Sequence, residues 1–139
     1  MSLHQLVYIS VATEKFSQES LFEILDVAKE NNSHQDITGS LLYDSGRFIQ
    51  ILEGDRVAIT SLFKTISEDP RHKSIRLLYL DETSIRLFPN WSMNMVNLKA
   101  DKPKNLAVLK SLLNQIDTDK KIGTTHAALA LFKAFKEGS

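Results

Sequence analysis

An amide and a phenol are the side chains through which this sequence could do chemistry. Gln50 stands in Phe48-Ile49-Gln50-Ile51-Leu52-Glu53-Gly54, where strand alternation puts Phe48, Gln50 and Leu52 on one face and Ile49, Ile51 and Glu53 on the other. Once a helix covers that face, the amide must find hydrogen-bond partners, because a buried group left unpaired costs about 1–3 kcal/mol. Tyr8, in Leu6-Val7-Tyr8-Ile9-Ser10, and the pair Asn31-Asn32 are further polar groups in apolar settings. All of these donate and accept, yet none is a strong acid or base at neutral pH, so they suit a pocket that holds a small molecule by hydrogen bonds. Acid-base and metal chemistry have little to work with. The four histidines, His4, His34, His72 and His126, are too scattered for a metal pair, and no cysteine is present to act as thiolate or ligand. A glycine-rich phosphate loop and a G-x-S-x-G elbow are both absent from the sequence.

The elements that must position these groups read in order. Leu3 to Ser10 is a short apolar strand. After Ser17, Leu21, Ile24, Leu25 and Ala28 recur at helical spacing, with Glu19 in the first turn and a stop at Asn31-Asn32. Ile37 to Tyr43 forms a second strand, and Asp44-Ser45-Gly46-Arg47 turns it back onto the strand that carries Gln50. Gly54-Asp55 breaks that strand and caps a second helix marked by Ile59, Leu62, Phe63 and Ile66, which Asp69-Pro70 closes. Ser74 to Asp81 and Asn90 to Leu98 complete the strands, the last with Trp91, Met93 and Met95 on a common face. The βαββαββ order predicts an α+β, ferredoxin-like sheet with both helices on one face. Beyond it, Pro103 to Ile116 and Thr124 to Lys136 read as two amphipathic helices. Val7, Ile9, Ile49 and Ile51 leave the sheet's second face apolar, to be covered by these helices or paired with another subunit. The expected division is a sheet-and-helix domain over 1–99 and a helical extension over 100–139 for capping, oligomerisation or output.

Composition narrows the partners. The chain has 139 residues, 42% of them hydrophobic, enough for one domain with a real core. Seventeen basic and seventeen acidic residues cancel without long runs of either sign, which argues against a nucleic-acid or membrane surface as partner. With no signal segment and no membrane-length apolar run, the expected location is the cytoplasm, and the glycosylation patterns at Asn31-Asn32-Ser33 and Asn90-Trp91-Ser92 are taken as coincidental.

Taken together, Leu6-Val7-Tyr8-Ile9-Ser10, Asn31-Asn32, Ile37-Thr38-Gly39, Phe48 to Gly54, Asp69-Pro70-Arg71-His72 and Trp91-Ser92-Met93 resemble the BLUF family of flavin-using blue-light sensors. The resemblance runs from about Leu3 to Asn97. It implies a ferredoxin-like fold with FAD, or alternatively FMN or riboflavin, held non-covalently between two helices. Carried over by position, it implies that Tyr8 and Gln50 share one hydrogen-bonded chain with the flavin, and that Asn31 and Asn32 hold its polar edge. Ile24, Leu41, Phe48 and Ile66 would form apolar walls, Asp69, Arg71 and His72 would lie near the ribityl-phosphate tail, and Trp91 and Met93 would relay the signal. Two positions depart from the family pattern: Ala28 replaces a frequent serine, and Ser40 a common apolar residue. The implied activity is light-driven electron and proton transfer from Tyr8 through Gln50, signalling to an unidentified partner protein, with the chain not an enzyme; the apolar second face of the sheet adds the expectation of a homo-oligomer. The roughly 40 residues after the sensor are too few for a catalytic domain.

Read without the resemblance, Asn31-Asn32 is a helix stop, Asp69-Pro70-Arg71-His72 a surface turn, and Trp91, Met93 and Met95 core filler. The competing function is a ferredoxin-like regulatory module for another small ligand, without photochemistry. An acylphosphatase-like enzyme would need a phosphate loop after the first strand, and none is visible there.

Overall fold

The protein is described by a computed structural model over residues 3–13, 36–44, 46–89, 94–97, 106–117 and 129–134. In chain order the elements are β1 (Leu3–Ala12), β2 (Thr38–Asp44), β3 (Arg47–Asp55), α1 (Arg56–Ser67), β4 (His72–Glu82), β5 (Asn94–Asn97) and α2 (Leu106–Asp117). A further helical span covers 129–134. The expected helix between Ser17 and Asn31-Asn32 lies outside the described residues.

The sheet order is β4-β1-β3-β2-β5, and β1 runs antiparallel to both of its neighbours, as β2 does to β3. Strand β3 therefore lies between β1 and β2, and β1 lies between β3 and β4. Both connections must cross a strand, which is the doubled split βαβ arrangement of the ferredoxin-like fold. Helix α1 occupies the second crossover. Its start is set by Asp55, whose side chain accepts hydrogen bonds from the amides of Val57 and Ala58, and Lys64 complements the dipole at its end. The β2–β3 hairpin closes at the Asp44–Arg47 pair, with Gly46 at φ +89°, where a side chain would be strained.

One sheet face carries Leu6, Tyr8, Leu41, Tyr43, Phe48 and Leu52, packed with Ile37 and Ile59 and, from α1, the half-buried Leu62, Phe63 and Ile66. On the other face Val7, Ile9, Leu42, Ile49 and Ile51 are also buried. Every residue of β3 between Phe48 and Gly54 is consequently buried, as in a central strand.

Several boundaries differ from the sequence reading because strand pairing, invisible in one segment, decides where a strand stops. Gly54-Asp55 does not break β3: Gly54 pairs with His4 and Asp55 with Leu3, and the helix begins only afterwards. Strand β1 runs past Ser10 because Val11 pairs with Arg47 and Ala12 with His72. Strand β4 correspondingly starts at His72, before Ser74, whose φ of +53° sits at an irregularity in the β1–β4 register. Strand β2 ends one residue later than expected, at Asp44, for the same reason.

The chain divides into two compact units, Met1–Val96 and Asn97–Ser139. Within the second, α2 begins at Leu106, three residues later than the pattern predicts, and Leu109 is buried while Val108 is exposed. Among the described residues no helix is long and apolar enough to cross a membrane.

Candidate functional site

The β1–β3 register sets Tyr8 directly opposite Gln50, and the β2–β3 register sets Leu41 on Gln50's other side. Residues opposite each other in an antiparallel ladder point to the same face, so three strands present a row of phenol, amide and alkyl side chain. The Tyr8 hydroxyl donates to Gln50 Oε1. Tyr8 is 3% and Gln50 5% exposed, so this contact is shielded from water. The amide carbonyl is thereby engaged by the phenol, which places the NH2 at the opposite end of the same planar group.

Rings enclose the pair. Tyr8 lies 5.4 Å from Phe63 of α1 between centroids, and Tyr43 stacks on Phe48 at 5.0 Å. His72 stands edge-on to both Tyr8 and Phe48, at 6.3 Å from each. Its Nε2 lies 2.5 Å from the carbonyl oxygen of Ile66 and its Nδ1 2.9 Å from Ser10 Oγ. A carbonyl can only accept, so Nε2 carries the proton and donates to Ile66, and in the neutral ring Nδ1 accepts from the Ser10 hydroxyl. His72 thus ties the start of β4 to β1 and to the last turn of α1.

Asp69 and Arg71 form a second cluster at the end of α1. Arg71 donates to Asp69 from Nε at 2.9 Å and from its backbone N at 2.9 Å, and also from Nη2. These bonds hold the Asp69 carboxyl below the usual carboxylate range, chiefly through the side-chain bond from Arg71, and raise the Arg71 guanidinium in turn. Arg71 is about half exposed. Burial pushes the Tyr8 phenol well above its ordinary value, and the negative charge of Asp69 pushes it further in the same direction. Tyr8 is therefore held neutral.

The structure thus brings Tyr8, Leu41, Phe48, Gln50, Ile66 and His72 onto one face, with Asp69 and Arg71 paired at the turn that follows α1. Ile24, Asn31, Asn32, Trp91 and Met93 lie outside the described residues, as does Ala28. Sequence reasoning assigned no part to Ser10, Tyr43 or Phe63. Alternation with Tyr8 could have found Ser10 and helical spacing did mark Phe63 as apolar, but the contact of Ser10 with His72 spans 62 residues of sequence. Ser40 lies on the opposite face from Leu41, fully buried, and its hydroxyl has no hydrogen-bond partner among the described residues. Its departure from the family pattern therefore does not touch the Tyr8–Gln50 face.

Chemically, the face offers apolar and aromatic side chains around one buried amide–phenol pair. That donor set fits a planar aromatic ligand bearing hydrogen-bonding groups on one edge. Among the described residues no cluster of metal-ligating side chains occurs.

Residues 3–94 match the family model described as BLUF, sensors of blue-light using FAD. Over 93 residues the chain is 37% identical to photoactivated adenylate cyclase subunit beta of Euglena gracilis, a match covering 66% of this chain and 11% of that protein. It is 26% identical over 133 residues to the blue light- and temperature-regulated antirepressor BluF of Escherichia coli (strain K12), covering 96% of this chain and 32% of the relative. The chain thus spans only a minor part of these curated relatives. Among solved structures, the dark state of BlrB, a BLUF protein, superposes with a TM-score of 0.74 at 32% identity, covering 93% of this chain and 96% of that one. With a family match across most of the sheet and a buried Tyr8–Gln50 bond at its centre, the chain belongs to the BLUF family of blue-light sensors using FAD.

Proposed function

We propose that this chain senses blue light by reversing the hydrogen bonds of Gln50, and passes the change to a separate effector protein. The observation that supports this reading is the buried bond from the Tyr8 hydroxyl to Gln50 Oε1. Tyr8, Gln50, Asn31 and Asn32 would hold the flavin's polar groups, with Ile24, Leu41, Phe48 and Ile66 as walls and Asp69, Arg71 and His72 toward its tail. FAD is the flavin of first choice, with FMN and riboflavin as alternatives. When bound, the flavin supplies blue-light absorption and an excited state that accepts one electron from a nearby donor.

The residues of the chain do the rest. A neutral phenol gives up an electron far more readily if its proton leaves at the same time, and Gln50 Oε1 is where that proton can go. Proton acceptance at Oε1 lets the amide rotate or tautomerise, so that the end facing Tyr8 changes from acceptor to donor. Return of the electron and proton restores a neutral phenol, now meeting a different amide edge. A net hydrogen bond is worth about 1 kcal/mol, and a difference of a few kcal/mol is enough to bias a two-state element. Burial matters because water at Oε1 would offer Tyr8 a competing acceptor.

Relay would pass through Trp91 and Met93 toward the terminal helices. We place the protein in the cytoplasm as a homo-oligomer. The decisive measurement is the visible absorption spectrum of purified protein in darkness, just after blue light, and during recovery, with extraction and chromatography of the bound flavin. A flavin spectrum that shifts red as a whole and reverts in the dark is expected. A protein that stays colourless after reconstitution with flavin would overturn the reading in favour of a module for another ligand.

A further inference from the structure

Strand β3 carries a second buried polar side chain, on the face opposite Gln50. Glu53 has no exposed surface. Its carboxylate accepts from Gln5 Nε2 at 2.8 Å, from the backbone N of Leu87 at 2.6 Å and from the backbone N of Phe88 at 2.7 Å. Three N–H donors on one carboxylate are charge-assisted bonds, roughly twice as strong as neutral ones. Arg86 pins the same segment to β2 and β3, donating from Nη1 to Thr38 Oγ1 at 2.8 Å and to the Glu53 carbonyl at 3.1 Å, and from Nη2 to the Asp36 carbonyl at 2.9 Å. Residues 86–88 are thus fastened to the sheet, and the chain runs on from them toward Trp91, Met93 and β5.

Gln5 pairs with Glu53 in the same β1–β3 ladder in which Tyr8 pairs with Gln50. Two side-chain bridges therefore span one strand pair, three rungs apart and on opposite faces. A ladder of backbone hydrogen bonds is stiff, so a change in how strongly β1 and β3 are drawn together at the first bridge must be met at the second.

Resting on the light-sensor reading above, we infer that Glu53 is a positioning residue that carries the state of Gln50 through β3 to the segment 86–88. Altered bonding between Tyr8 and Gln50 loosens the Gln5–Glu53 bridge, and the amides of Leu87 and Phe88 lose protection. The test is hydrogen exchange at these two amides in the flavin-loaded full chain, in darkness and under continuous blue light, with the absorption spectrum recorded alongside. In the wild type, illumination should speed their exchange roughly fivefold, the factor set by one net hydrogen bond, with little change at Val57 and Ala58, whose amides the Asp55 cap holds.

Glu53→Gln replaces one acceptor oxygen with a donor, and Leu87 and Phe88 bond different oxygens, so one of the two amides loses its acceptor and should exchange fast already in darkness, without a further response to light and with the spectral shift retained. Gln5→Leu keeps the carboxylate's bonds to the backbone, and serves if the first variant does not fold. It should retain protection in darkness and lose the response to light. A wild type whose spectrum shifts while Leu87 and Phe88 exchange alike in darkness and light overturns this inference and leaves the sensor reading standing. A full light response in Gln5→Leu or Glu53→Gln overturns it equally. A wild type without any spectral shift removes the sensor reading and this inference together.

Discussion

At the scale of single residues, the site depends on a phenol whose ionisation is opposed where it stands. Burial and the charge of Asp69 both raise Tyr8 above its ordinary value. Below about pH 10 the phenol is protonated whether the chain is folded or not, and its burial contributes fully. Above that, the unfolded chain releases a proton that the folded chain keeps, so stability must fall as pH rises, by up to about 1.4 kcal/mol per pH unit from this group. Denaturant midpoints at pH 9 and pH 10.5 should therefore drop further for the wild type than for Tyr8→Phe. Equal drops would show that Tyr8 titrates like an exposed phenol. The photochemical consequence is sharper. Gln50→Leu removes the proton acceptor at Oε1 while leaving the apolar enclosure, so flavin should stay bound without the red-shifted state. A normal shift in that variant would remove Gln50 from the mechanism. Tyr8→Phe should likewise abolish the productive cycle, and wild-type-like formation of the shifted state would refute its role as donor.

At the scale of elements, the site is held by a cap and by a close strand contact. Asp55 satisfies two amides at the start of α1, the helix that brings Phe63 to Tyr8 and the Ile66 carbonyl to His72. Asp55→Ala should cost about 1 kcal/mol of stability, read from the denaturant midpoint, and an unchanged midpoint would mean that the cap carries no weight. Gly39 is stricter. A Cβ there would lie 2.0 Å from the carbonyl oxygen of Ile51, in the strand that also carries Gln50. Gly39→Ala must therefore push β2 from β3, at a cost of at least about 1–3 kcal/mol, and should weaken flavin retention because Leu41 moves with β2. A variant as stable as the wild type would show that the pair can separate without loss. Alternation identified these strands because each buries a repeating set of side chains. The helix-start signal at Asp55 was legible for the same local reason. The strand ends were not, since Ala12 and Gly54 stay in the sheet only through their partners His72 and His4.

For the whole molecule, the open property is association. The proposed homo-oligomer predicts a light-scattering mass above that of one 15.7 kDa chain at micromolar concentration, and a monomer mass there would refute it. Much was determined by the sequence alone: the order of the strands and of the helix that follows β3, the hairpin at Gly46, the face shared by Phe48, Gln50 and Leu52, and, through resemblance, the family. These follow from short-range rules, the period of two in a strand and the recurrence of apolar residues in a helix, which any segment displays without its neighbours. Alternation also put Glu53 opposite Gln50, but gave it no partners. Tertiary structure decided that Tyr8 bonds Gln50 across 42 residues of sequence, that His72 turns inward to Ser10, and that Glu53 holds Leu87 and Phe88. A buried polar group announces that it needs a partner, but only the register of the strands determines which one it meets.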